Sequence, residues 1–114
     1  MVSFQEATLL RIFVGESDRF EGHPLYEAIV LKAREAHMAG AIVLRGPMGF
    51  GKTSQLHTAK ILRLSDDLPV VVEIVDSRQQ IDQFLPLLEP MIGSSGLATL
   101  EKVQIVRYGD GGAS

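Results

Sequence analysis

Arg45-Gly46-Pro47-Met48-Gly49-Phe50-Gly51-Lys52-Thr53 is the stretch with the clearest chemical content. Its spacing satisfies the phosphate-binding pattern Gly-x4-Gly-Lys-Thr. In that reading Gly46 and Gly51 let backbone N–H groups turn inward around phosphate oxygens, Lys52 reaches the terminal phosphates and Thr53 holds magnesium. Residues 54–64 would then form a helix whose N-terminus faces the anion, and Val70 to Asp76 would be a strand ending in an acid, completing a small nucleotide hydrolase built on Gly46–Thr53. Pro47 and Phe50 add bulk to a loop that must fold tightly, and no residues stand out to position an attacking water or a nucleoside base. The alternative makes Thr58 to Leu64 an extended arm, turned by Asp66-Asp67-Leu68-Pro69 into the next strand. Periodicity fits both, because Leu56, Ala59 and Arg63 also suit a helix.

Other candidate groups are sparse. Lys52, beside three glycines and Thr53, suits a phosphate better than it suits catalysis, and Phe50 suits packing at the loop base or contact with an adenine face. His23, His37 and His57 are widely spaced with no cysteine nearby, so no metal site is expected. Asp18, Glu21, Asp66 and Asp67 read as solvated loop acids without a paired-carboxylate arrangement. Ser94 and Ser95 have no identifiable base, and Tyr26, on the first helix, reads as a packing residue. No catalytic residue is assigned, and the chain is read as a non-enzyme.

At 114 residues, 46% of them hydrophobic, the chain suits one domain with one core, taken as residues 1–114 with an ordered part from about 9 to 108. A formal charge of -3 argues against a broad nucleic-acid surface, so any anion site must be local. The absence of cysteine excludes disulfides and thiolate chemistry, and no apolar run approaches a membrane span. A cytoplasmic protein without membrane insertion is the expectation.

The elements that would position the loop follow from pattern. Leu9 to Val14 reads as a buried strand ended by Gly15. Pro24 suits a first helical turn, and Leu25, Ala28, Ile29, Ala33 and Ala36 recur with helical spacing until Gly40. Ala41 to Leu44 forms a second strand and Pro69 to Val75 a third. Ser77-Arg78-Gln79-Gln80 has capping-box spacing before the stripe Ile81, Phe84, Leu85 and Leu88, with a bend or early break expected at Pro86. Gly93 to Gly96 reads as a turn, Val103 to Tyr108 as a fourth strand, and Gly109 to Ser114 as a fraying end. The order is β-α-β-β-α-β, an α+β, ferredoxin-like split βαβ arrangement with one four-stranded antiparallel sheet and both helices on one face. The bare sheet face predicts an oligomer.

The segments Leu10 to Glu16, Gly22 to Val30, Leu44 to Gly51, Asp67 to Asp76 and Val103 to Tyr108 resemble an uncharacterised bacterial and archaeal family related to the PII signalling proteins. The resemblance spans about residues 9–108. It implies a homotrimer of PII-like subunits that needs no cofactor, takes an adenine nucleotide (ADP, AMP or ATP) or a similar anion as effector in clefts between subunits, and reports through the loop after strand two to a regulated transporter or enzyme. By the same resemblance Gly49-Phe50-Gly51 lies at the loop base, and Gly93 to Gly96 matches a second loop that approaches the phosphates. Arg107 is similar to basic residues that reach the phosphates from a neighbouring subunit, and Arg45, at a strand end, is a further phosphate candidate. The chain departs from the PII pattern: the loop is shorter, has no tyrosine to modify, and the turn from Gly93 to Gly96 lacks a lysine, a place Lys52 would take. A ligand-free structural trimer that grips a partner protein is the remaining alternative.

Overall fold

The computed structural model describes residues 1–50, 56–58, 68–93 and 96–109, with the backbone path alone at 48–50 and 56–58. The chain opens with β1 (Val2–Gly15), followed by two short paired strands, β2 (Arg19–Phe20) and β3 (His23–Pro24), and by helix α1 (Leu25–Glu35). β4 (Ala41–Arg45) leads into a small hairpin of β5 (Met48–Phe50) and β6 (Leu56–Thr58). β7 (Pro69–Asp76), α2 (Arg78–Ile92) and β8 (Leu97–Tyr108) complete the described elements. The main sheet has the order β4-β7-β1-β8 with every neighbour antiparallel, which is the ferredoxin-like arrangement.

Side-chain alternation on the strands decides which face the helices cover. On β1, Leu10, Ile12 and Val14 point to one side, opposite Ile74, Val72 and Val70 of β7, and all six are buried. Leu25, Ile29 and Ala33 of α1 and Ile81, Phe84, Leu88 and Met91 of α2 close over them to form the core. The opposite face carries Phe13, Ile42, Leu44 and Leu97, all exposed. In its centre Arg11 pairs with Glu73 at 2.9 Å and with Glu101 at 3.0 Å, an ion triad strung across β7, β1 and β8. Hydrogen bonding to Glu73 is the main reason that the Arg11 guanidinium holds its proton above the ordinary range.

Both outer ends of the sequence-based strands fall short. β1 begins at Val2 rather than Leu9, and β8 at Leu97 rather than Val103, because the two strands pair along almost their whole length, from Val2 opposite Tyr108 to Phe13 opposite Leu97. β7 reaches β1 only from Thr8 onward, so residues 2–7 and their partners on β8 run past the four-stranded body as a two-stranded ribbon.

The helix ends also correct the expectation. Pro24 stands at the N-cap of α1 rather than within its first turn. α1 stops well before Gly40, with His37 in the left-handed region (φ 61). Met38 N–H donates to the Ala33 carbonyl at 3.0 Å and His37 N–H to that of Arg34 at 3.1 Å, the bond pair of a Schellman cap. α2 runs unbroken through Pro86 and Pro90 to Ile92. Both prolines are exposed, and so is Asp82, which with Pro86 carries the carbonyls left without a helical donor, while Ile81, Phe84, Leu88 and Met91 anchor the buried face of the helix. Ser77 is its N-cap, accepting from Gln80 N–H at 3.1 Å. No helix among the described residues is long and apolar enough to cross a membrane.

Candidate functional site

Topology gathers four strand ends at one end of the sheet: the exit of β1 at Gly15, the exit of β4 at Arg45, the entry of β7 at Pro69 and the entry of β8 at Leu97. The segment from Gly46 to Leu68, which carries the glycine loop, therefore springs from the same end as the turn from Gly93 to Gly96. Glu16 ties the root of that excursion. Its N–H donates to the Leu68 carbonyl at 2.8 Å, and its carboxylate accepts from Arg45 Nε at 2.9 Å. One bond holds the returning chain and the other the outgoing one. Gly46 N–H closes the root by donating to the Pro69 carbonyl at 2.8 Å.

Arg45 faces the helix layer, in register with Val70. Its Nη2 donates to the Tyr26 hydroxyl at 3.1 Å, and its guanidinium carbon lies 5.4 Å from the centre of the Tyr26 ring, within cation–π range. The hydrogen bond and charge of Glu16 raise the Arg45 pKa above its usual value, so this cation stays charged. Asp18 braces the same corner: its side chain accepts from Gly15 N–H at 2.9 Å and its carbonyl from Leu25 N–H at 2.7 Å. The sequence assigned Asp18 to solvent and gave Glu16 no role; Tyr26 packs against the core as expected and takes Arg45 on its hydroxyl as well. For Glu16, its place just past the strand-ending Gly15 was the available signal.

The strand–loop–helix reading of the glycine motif is corrected on four counts. Met48–Phe50 pairs antiparallel with Leu56–Thr58, so a strand stands where the phosphate-binding helix should run. β4 and β7 are antiparallel neighbours, whereas a βαβ crossover joins parallel strands. Asp76, the acid that would serve the metal, accepts from Ala39 N–H at 2.9 Å and from Ser77 N–H at 2.7 Å, fastening β7 to the start of α2 and to the link before β4. Gly46 N–H, spent on Pro69, is not an open donor either.

The remaining predicted site residues divide by place. Gly49 and Phe50 lie on β5, opposite His57 and Leu56. Gly51, Lys52 and Thr53 lie outside the described residues, as do Ser94 and Ser95, most of the 54–64 span and the end beyond Gly109. Gly93 ends α2 at φ 50, where its N–H donates to the Glu89 carbonyl at 2.9 Å. Gly96 is pressed against Ile92, so that a Cβ there would sit 3.0 Å from the Ile92 Cβ. Arg107 is remote: it sits opposite Ser3 on the ribbon and donates to the Gln5 side chain at 2.9 Å. Arg45 is level with Val14, and the run from Ser3 to Val14 places the two arginines roughly 35 Å apart at about 3.4 Å per residue. A cavity of about 500 Å³ also lies toward the ribbon, lined by Glu6, Thr8, Arg78 and Lys102 among others. The chain thus unites Arg45, Gly46 and the β5 residues at one end and leaves Arg107 at the other.

The family model described as "Uncharacterized ACR, COG1993" (DUF190) matches residues 7–105. The chain belongs to the DUF190 family. A UPF0166 protein of Aquifex aeolicus is 42% identical over 99 residues, covering 86% of this chain and 91% of that one. Among solved structures, CPII from Thiomonas intermedia, a nitrogen regulatory PII-like protein bound to ADP, AMP and bicarbonate, superposes with a TM-score of 0.71 at 13% identity, covering 92% of each chain. The Bacillus subtilis GlnK–ATP complex superposes with a TM-score of 0.56 at 13% identity, over 86% of this chain and 82% of that one. The DUF190 chain therefore has the PII-like form of the ferredoxin-like fold, as its sequence led us to expect.

Proposed function

We propose that this DUF190 protein is a cytoplasmic, non-enzymatic PII-like regulator, a homotrimer that binds an adenine nucleotide between subunits and reports its presence to a partner protein through the 46–68 excursion. The observation that carries this reading is the division of the candidate phosphate-binding residues. Arg45, Gly46, Gly49 and Phe50 lie toward one end of the sheet and Arg107 at the other, so a single phosphate chain would meet both sets only across two copies. The open face supplies a reason to associate, since Phe13, Ile42, Leu44 and Leu97 leave apolar surface in water. The nucleotides in the CPII and GlnK structures support the choice of ligand. Lys52 and Arg107 are the proposed phosphate partners, with Gly49, Phe50, Gly51 and Thr53 at the loop and Gly93 and Gly96 on the second turn.

Light scattering should give about three times the 12.4 kDa subunit mass. Calorimetric titration with AMP, ADP and ATP tests the ligand. Lys52→Ala should weaken binding by roughly ten- to a hundredfold, since a charge-assisted hydrogen bond contributes about 1.5–3 kcal/mol, and the trimer should remain intact. Arg107→Ala should act in the same direction. An intact trimer that binds none of the three at millimolar concentration would replace this reading with a structural trimer whose loop grips a partner unaided.

A further inference from the structure

Glu16 does two things at once that no other described residue does. Through its backbone it holds Leu68, the last residue of the excursion, and through its side chain it holds Arg45, the last residue before it. Arg45 in turn rests on Tyr26 of α1 by a hydrogen bond and by its position over the ring. Three separate elements, the β1 exit, the first turn of α1 and the β4 exit, meet at one guanidinium. A surface ion pair of this kind adds little to global stability. Its value lies in geometry: it fixes where two chain ends enter and leave.

The same pairing limits what Arg45 can do for a ligand. Its side chain is about half exposed, 50%, while that of Glu16 is 25% exposed, so an incoming anion reaches the guanidinium from solvent and meets a carboxylate already bound to it. A phosphate and a carboxylate compete for the same fork of donors, and the phosphate carries the greater charge. We infer that Glu16 is a positioning residue that latches the root of the 46–68 excursion, and that an anionic ligand opens the latch by taking Arg45 from it. The latch itself stands on the contacts just described; only the identity of the opening anion rests on the nucleotide reading above.

Amide hydrogen exchange at Gly46 and at residue 16 reads the root directly, because both N–H groups donate across it. Glu16→Gln and Arg45→Gln should each speed exchange at Gly46 by roughly three- to tenfold, and the double variant no further, since both remove one contact. Tyr26→Phe, which keeps the ring and loses the hydroxyl, should have a smaller effect. With ADP as probe, the wild type should exchange at Gly46 as fast as Glu16→Gln does, and Glu16→Gln should bind ADP several-fold more tightly. Unchanged exchange at Gly46 in both single variants, with the folded spectrum retained, would overturn the latch. Tight ADP binding that leaves Gly46 protected and is indifferent to Glu16→Gln would overturn the competition. Faster exchange in the variants from a wild type that binds no ADP would support the latch and remove the nucleotide as its trigger.

Discussion

Asp76 shows how one carboxylate is committed by its surroundings. With Oδ2 on Ala39 N–H and Oδ1 on Ser77 N–H, it satisfies donors on two different connections and is the hinge pin between strand, helix and loop. Asp76→Ala should cost about 1–2 kcal/mol in chemical denaturation, toward the lower end for charge-assisted bonds because water can reach part of the site. Asp76→Asn, which keeps one acceptor oxygen, should lose less. Equal losses for both variants would mean that charge rather than acceptor geometry carries the effect. The residue also marks how far sequence could go at this scale. An acid after Val-Val-Val-Glu-Ile-Val fits a metal-side strand end as well as it fits a backbone clasp, and only the three-dimensional position of Ala39 separates them. Glu16 and Tyr26 were hidden for the same reason, since their meeting with Arg45 joins segments far apart in the chain.

Among the elements, the caps divide into those that local chemistry announces and those that packing imposes. Ser77 was readable because a hydroxyl three residues before a free N–H is a local arrangement. The end of α1 was not, because a histidine takes the left-handed position that glycine usually fills. That substitution leaves stability to be gained. His37→Gly should raise the unfolding free energy by roughly 0.5–1 kcal/mol, the relief of a left-handed non-glycine residue less the added freedom of the unfolded chain. A thermal melt that falls instead would mean that the His37 side chain holds something in place. The core stripes, period two on β1 and β7 and three-to-four on the helices, were legible because burial writes them into the sequence. Leu97 to Lys102 was not, since it is exposed along its length and is a strand only because β1 lies beside it. The same dependence on a partner accounts for the missed first half of β1.

For the whole molecule, the open sheet face is the feature with the largest energetic reach. Ile42 and Leu44 project from the edge strand β4 on the side that the helices leave bare. If the open face joins copies as proposed, Leu44→Asp should shift the proposed trimer toward monomer at micromolar concentration, read by sedimentation velocity, while Val43, on the other side of the same strand, packs against the core and should lower folding stability when made polar. An unchanged sedimentation coefficient for Leu44→Asp would place the contact between copies elsewhere. The Arg11, Glu73 and Glu101 triad in the middle of this face stays ion-paired within one chain, so a covering copy would meet it already partly neutralised.

The pairing of Val2 with Tyr108 also governs the order in which the chain is able to fold. β1 precedes the other described strands and is an interior strand of the sheet, yet neither of its neighbours is close in sequence: β7 and β8 both follow α1 and β4. Until Leu97 to Tyr108 has left the ribosome, β1 presents a bare edge with Leu10 and Ile12 beside it, and closing the sheet must wait for the longest-range strand pairing among the described residues. A sheet with this topology closes only when β8 arrives, and until then β1 is an unpaired strand open to the wrong partner.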